Sequence, residues 1–211
     1  MLFDLDGTLA DTAPDMAHAL NRLLRTHARP PVATERVRPF VSQGARGMLR
    51  AGFDIGPDDP SFAELREAFL DEYERDICID TTLFDGVHEL LARLEEDGLT
   101  WGIVTNKAAR FTLPLLKFLD IDRRAACIVC GDTCARAKPH PDPLLHAASH
   151  IAIAPEECLY IGDDERDIQA ANAAGMRGVV ALYGYLGTGT PPAQWKAAAM
   201  VEAPLDVITL L

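Results

Sequence analysis

The spacing of apolar residues changes character near residue 83. Beyond that point, compact apolar runs alternate with stretches in which apolar residues recur three and four positions apart. "GVHELLARLEEDG" predicts a helix closed by Gly98, and "LTWGIVTN" predicts a strand. "AARFTLPLLKFLD" predicts a helix, with Pro114 inside it as a sign of a kink or late start. "ACIVC", "CLYIGDD" and "RGVVALYG" predict further strands, separated by the helical "PDPLLHAASHI" and "ERDIQAANAAG". The opening "MLFD" supplies a short first strand. Alternation of this kind predicts an α/β fold: a doubly wound parallel sheet with a Rossmann-like core and helices on both faces.

Between the first strand and Gly86 the alternation stops. "PDMAHALNRLLRTHA", "TERVRPFV", "GARGMLRAGF" and "SFAELREAFLDEYERDI" all have helical spacing, with no strand among them. So long an all-helical stretch is not an ordinary connection. It predicts an inserted α-helical cap over residues 13–82, with residues 1–12 and 83–211 forming the α/β core. The tail "PAQWKAAAMVEAPLDVITLL" predicts a helix, a short strand and a last helical turn packing back on the sheet.

Composition narrows the function. The chain has 211 residues and a net charge of -12, with no block of Lys/Arg, so nucleic acid and anionic membranes are poor partners. No apolar run is long enough to span a bilayer, and the early acids do not suit a secretory leader. Five cysteines, an odd number without a small-domain framework, predict reduced thiols and a cytoplasmic location. In "CIVCGDTC", Cys127 and Cys130 stand three apart on a predicted strand and face opposite ways. Buried thiols are expected there rather than a zinc knuckle.

The polar residues fall at the strand ends. The first strand runs into Asp4-Leu5-Asp6-Gly7-Thr8 and "WGIV" into Thr105-Asn106-Lys107; "LYIG" runs into Asp163-Asp164, with Asp167 four residues after Asp163. Lys138 lies in the loop before "PHPDPLL". In an open parallel sheet these carboxyl ends meet at one crevice. Singly, each residue reads as turn, cap or surface chemistry, and Asp11 is best read that way. Together, several carboxylates at one point require a hard divalent cation such as Mg²⁺, and a metal with a lysine suits an anionic phosphate.

At this point the sequence resembles the haloacid dehalogenase-like hydrolases. "DLDGTLAD", "IVTN", the lysine of "AKPHPDP" and "IGDDERD" look like that family's four motifs, in order. The resemblance implies a phosphatase in which Asp4 is the nucleophile, forming an aspartyl-phosphate, and Asp6 is the general acid/base. It implies Mg²⁺ held by Asp4, the carbonyl of Asp6 and Asp163, with Asp167 as a ligand or an orienting partner. Thr105 and Lys138 would orient the phosphoryl group, and Thr8 and Asn106 would contact substrate or the neighbouring loops. Dehalogenases as a group lack the second acid, and phosphonate-cleaving members need a cap lysine, which residues 13–82 do not contain. Sugar-phosphate mutases share all four motifs. A silent binding protein would have a damaged motif, and none is damaged.

Within the family, "SQGARGML", "WGIVTNKAARF" and "YGYLGTGTPPAQW" look most like phosphoglycolate phosphatases and the related N-acetylmuramic acid 6-phosphate phosphatases. Both substrates carry a carboxylate, which invites an arginine. Arg46 is the candidate, with Ser42 and Gln43 beside it as hydrogen-bonding groups. A small anionic phosphate ester is the expected partner of a monomer or weak dimer.

Overall fold

The computed structural model describes residues 1–211. Six strands form one parallel sheet: β1 (Leu2–Phe3), β4 (Gly102–Val104), β5 (Ile128–Val129), β6 (Leu159–Gly162), β7 (Arg177–Ala181) and β8 (Ala199–Val201). Their spatial order is β5-β4-β1-β6-β7-β8. The direction of winding reverses at β1, which pairs with β4 on one side and β6 on the other. Crevices for ligands open at such a reversal.

The period of two along each strand divides the core. Phe3, Ile103, Ile161 and Val179 join one apolar cluster with Leu90, Leu91, Leu115 and Leu116 of α5 (Val87–Glu96) and α6 (Ala109–Phe118). Leu2, Val104 and Tyr160 face the other way, onto Leu144, Ala147, Ala170 and Ala171 of α7 (Asp142–His150) and α8 (Glu165–Ala174). Strands buried on both faces explain why these runs are apolar throughout rather than alternating. Leu2 pairs with Gly102 and Tyr160, and Phe3 with Ile103 and Ile161. This register brings Asp4, Thr105 and Asp163 out at the same edge.

The helical segment leaves and re-enters through a second, antiparallel pair of strands. In it, β2 (Ala10–Asp11) lies against β3 (Thr82–Leu83). Asp15, in the first turn of α1 (Ala13–Thr26), is buried and accepts from the backbone N–H groups of Ile79, Asp80 and Thr81 and from the Thr81 hydroxyl. It therefore ties the start of the segment to its end. α1 packs on α3 (Gly44–Phe53) and α4 (Phe62–Arg75) through Leu20, Leu24, Met48, Leu49 and Phe69, which are fully buried.

Two sequence expectations are corrected. "TERVRPFV" is not one helix: α2 (Thr34–Val37) gives way to a 3₁₀ stretch over Arg38–Gln43, where Pro39 lacks the N–H that an α-helix needs. The tail's alanine-rich helix is reduced to one 3₁₀ turn, Pro192–Gln194, because the alanine run feeds edge strand β8 instead. The last turn, Pro204–Leu210, is also 3₁₀. Pro114 lies within α6 without ending it.

Candidate active site

Asp4 follows β1 directly, and its N–H donates to Ile161 O on the neighbouring strand at 2.9 Å. The chain then turns sharply, with Leu5 O accepting from the N–H groups of Thr8, Leu9 and Ala10. Gly7 sits at φ +85° in this turn, where a side chain would be strained. The turn aims Asp4 and Asp6 into a cavity of about 560 Å³. Thr105 and Asn106 after β4, Lys138 from the loop before α7 and Asp167 of α8 line it together with α3 and α4 residues, including Arg46, Phe69 and Tyr73.

Lys138 is the hub. Its ammonium is buried and lies 2.9 Å from Asp4 Oδ1, while it donates to Asp167 Oδ1 and the Tyr160 hydroxyl at 2.7 Å and to Val104 O at 2.9 Å. Burial works against its charge, but Asp167 and Asp4 outweigh that and hold its pKa above the ordinary lysine value. Asn106 clamps the loop that carries it: the amide donates to Lys138 O at 2.9 Å, and Lys138 N donates to Asn106 Oδ1 at 3.0 Å. Asn106 lines the cavity, yet both of its polar atoms are engaged with the loop.

One carboxyl oxygen from each of Asp4, Asp163 and Asp167 lies within 4.8 Å of the others. Burial pushes Asp4 up to about 7, with Lys138 opposing and Asp167 and Asp6 adding to the rise. Asp163 is pushed well above the carboxylate range, by burial first and then by Asp4 and Asp167. Asp4 Oδ1 is buried, and the Lys138 ammonium at 2.9 Å is the one group beside it. Three clustered acids, two of them sharing one ammonium and Asp163 with no cation beside it, fit a divalent cation bound through oxygen. Asp167 is the most committed member. Besides Lys138, it accepts from the Tyr160 hydroxyl on Oδ1 at 3.2 Å and from Asp164 N on Oδ2 at 3.0 Å.

Other residues singled out in the sequence have more local duties. Thr8 is fully buried, and its hydroxyl donates to Asp163 Oδ1 at 3.2 Å. The Ser42 hydroxyl also reaches Asp163, donating to Oδ2 at 3.2 Å. Both hydroxyls are thus engaged with the same acid, and Ser42 also lines the cavity. Thr105 accepts from Lys107 N at 3.1 Å and faces the cavity. Gln43 and Arg46 line the cavity, and Arg46 is exposed without an acidic partner. Asp164 caps α8 and pairs with Arg166, which holds its carboxyl below the usual range despite burial. Asp11 accepts from Ala13 N at 3.3 Å and from the Tyr185 hydroxyl at 2.9 Å, as a loop anchor would. Cys127 and Cys130 are free thiols, and burial pushes Cys127 up to about 11.

Four contributors were missed. Lys107 donates to Asp6 Oδ1 at 2.7 Å. Arg166 reaches across to Ser42 O at 2.6 Å. Tyr185 N donates to Asp163 Oδ2 at 2.9 Å. Arg110 lines the cavity with no acid beside it. A usable signal existed for Lys107: the chain has only four lysines, and this one stands just past the end of a predicted strand.

Comparison with known proteins agrees with this geometry. The chain is 43% identical over 211 residues to N-acetylmuramic acid 6-phosphate phosphatase of Pseudomonas aeruginosa, covering 100% of this chain and 93% of that one. It is 46% identical over 204 residues to phosphoglycolate phosphatase of Xanthomonas campestris pv. campestris, covering 97% and 92%. The crystal structure of a predicted phosphoglycolate phosphatase from Haemophilus somnus superposes with a TM-score of 0.86 at 27% identity, covering 99% of this chain and 96% of that one. A hydrolase from Pseudomonas syringae superposes at 0.75 with 30% identity, covering 99% and 95%. Residues 1–181 match the haloacid dehalogenase-like hydrolase model, and with relatives this similar along its whole length the chain belongs to the haloacid dehalogenase-like hydrolases.

Proposed function

We propose that the chain is a Mg²⁺-dependent phosphatase that cleaves a small, carboxylate-bearing phosphate monoester through an aspartyl-phosphate on Asp4. The observation that carries this is the trio Asp4, Asp163 and Asp167, with Lys138 paired to Asp4 and Asp167, beside the cavity that Asp4, Asp6 and Asp167 line. Asp4, the Asp6 carbonyl and Asp163 would hold the metal, and Asp167 would orient the group from behind. Bound there, Mg²⁺ supplies charge that offsets the acids and polarises the phosphoryl oxygens.

The chain's own groups account for the rest. An Asp4 oxygen attacks phosphorus while the ester P–O bond breaks, and protonated Asp6 gives its proton to the departing oxygen. Asp6, now a carboxylate, takes a proton from water as the water oxygen attacks phosphorus. The Asp4–phosphorus bond breaks, phosphate leaves, and both acids return to their starting states. Lys138 and the Thr105 hydroxyl hold the phosphoryl group in line. Residues 13–82 act as a cap that excludes water and reads the leaving group.

Phosphoglycolate is the first candidate substrate, because a relative 46% identical over 204 residues bears the name of its phosphatase. One observation favours N-acetylmuramic acid 6-phosphate as a second: a cavity of about 560 Å³ walled by Phe69, Tyr73 and Phe111 is roomy for a two-carbon acid. The five unpaired cysteines fit a reducing cytoplasm, and no helix is long and apolar enough to cross a membrane. Phosphate release should be measured for both esters, a sugar phosphate and an aryl phosphate, with Mg²⁺ and with chelator. The highest kcat/KM belongs to a carboxylate-bearing ester; no Mg²⁺-dependent release from any of them would refute the proposal.

A further inference from the structure

Asp6 carries an asymmetric set of contacts. Its Oδ1 accepts from the Thr12 hydroxyl at 2.6 Å and from Lys107 Nζ at 2.7 Å. Its Oδ2 accepts from nothing, and the residue lines the cavity. Lys107 in turn is almost wholly enclosed, and its ammonium stands 4.8 Å from the ring centroid of Tyr73. Tyr73 belongs to α4, so this contact crosses from the helical segment to the strand end. The ring is held from both sides, stacked on Phe69 at 6.3 Å and tilted against Phe111 at 5.6 Å. Its hydroxyl is buried without a partner.

We infer that Lys107 is a positioning residue for Asp6, and that Tyr73 holds Lys107 in place when α4 is docked. The inference rests on the reading of Asp6 as the group that gives and takes the proton. A lysine has a flexible stem and a strongly hydrated head, so in an open, wet site it would wander among rotamers. The Tyr73 face replaces water on one side of the ammonium and leaves Asp6 as its only carboxylate. With Oδ1 secured twice, Oδ2 is the oxygen left to exchange a proton with the leaving group or water. The helical segment thereby contributes to the chemical step as well as to substrate choice. A purely structural ion pair is a poor explanation, because burying one seldom stabilises a fold more than apolar packing would.

The test uses 4-nitrophenyl phosphate, whose leaving group needs no proton, so that only water activation depends on Asp6. In Lys107→Met the first nitrophenolate should leave at the wild-type single-turnover rate, while steady-state kcat falls roughly tenfold with little change in KM. Tyr73→Leu should show the same split more weakly, and Tyr73→Phe should recover what Tyr73→Leu loses, since it keeps the ring face. Tyr73→Leu leaves the lysine in place and carries the test if Lys107→Met fails to fold by circular dichroism. Equal slowing of the first turnover and the steady state would make Lys107 a phosphate ligand and overturn the inference. So would a raised KM at constant kcat, or no change in kcat in both Lys107→Met and Tyr73→Leu. Asp6→Asn run in parallel separates the two ideas: if it keeps full steady-state turnover, the reading of Asp6 itself has failed.

Discussion

A Cβ on Gly7 would lie 2.3 Å from Asp163 Oδ2. The same glycine turns at φ +85°, so any side chain meets both a strained backbone and a buried acid. Gly7→Ala should therefore cost about 1–3 kcal/mol of stability for the backbone alone. It should also displace Asp163, so the variant loses most of its turnover and most of its thermal stabilisation by Mg²⁺. Thermal midpoints with and without the ion check this, and an unchanged Mg²⁺ effect would show that Asp163 does not need this close approach.

Asp4→Asn should fold and be inactive, because an amide cannot serve as the nucleophile. It should also alter the pH dependence of stability. Folding raises the Asp4 carboxyl from 3.8 to about 7, so between those values the folded chain holds a proton that the unfolded chain has released. Metal-free stability must then fall as pH rises through that window. Asp163 is shifted the same way and adds to the fall. Thermal midpoints in chelator across this range should decline less steeply for Asp4→Asn. An identical slope would remove Asp4 from the account.

Much of this site was legible because it sits where short-range patterns end. Phe3, Val104 and Gly162 close apolar runs, and the residues after them are brought to one edge by the pairing register alone. The unread part depends on contacts across the molecule. Lys107 meets Asp6 and Tyr73, Arg166 meets Ser42 O, and Tyr185 N meets Asp163; none of these partners is near in sequence. The contacts of Thr8 and Ser42 with Asp163 are also unreadable, because a hydroxyl in a loop reveals nothing of what it will face. The alanine-rich tail misled for a related reason, since pairing of Ala199–Val201 with β7 overrode local helix preference.

Mg²⁺ should stabilise the folded chain and be required for turnover. At a hundredfold excess over Kd the gain is about 2.7 kcal/mol, and its size should follow the logarithm of ion concentration. Chelator should abolish phosphate release. Ca²⁺ should bind yet inhibit, because its larger and looser coordination lets Asp4 engage through both oxygens and removes the attacking lone pair. Full activity with Ca²⁺ alone would overturn that geometry, and identical thermal midpoints with and without Mg²⁺ would argue against the site.

Four arginines line the cavity, and they are not equivalent. Arg66 is paired with Glu67, and Arg166 is committed to Asp164 and Ser42 O. Arg46 has no acid beside it, and Arg110 rests its guanidinium 4.4 Å from the centroid of Phe111, also without one. These two guanidiniums, one from α3 and one from α6, are free to read a leaving-group carboxylate. Arg46→Ala and Arg110→Ala should each lower kcat/KM for a carboxylate-bearing ester by roughly tenfold, the loss expected for one charged hydrogen bond. Hydrolysis of an aryl phosphate, which has no carboxylate, should hardly change. If both arginines hold the same carboxylate, the double variant should lose less than the product of the single losses, because the second removal finds the contact already weakened. Equal losses on both substrates would mean that the arginines support closure of the helical segment instead, and specificity would have to lie elsewhere in the cavity wall.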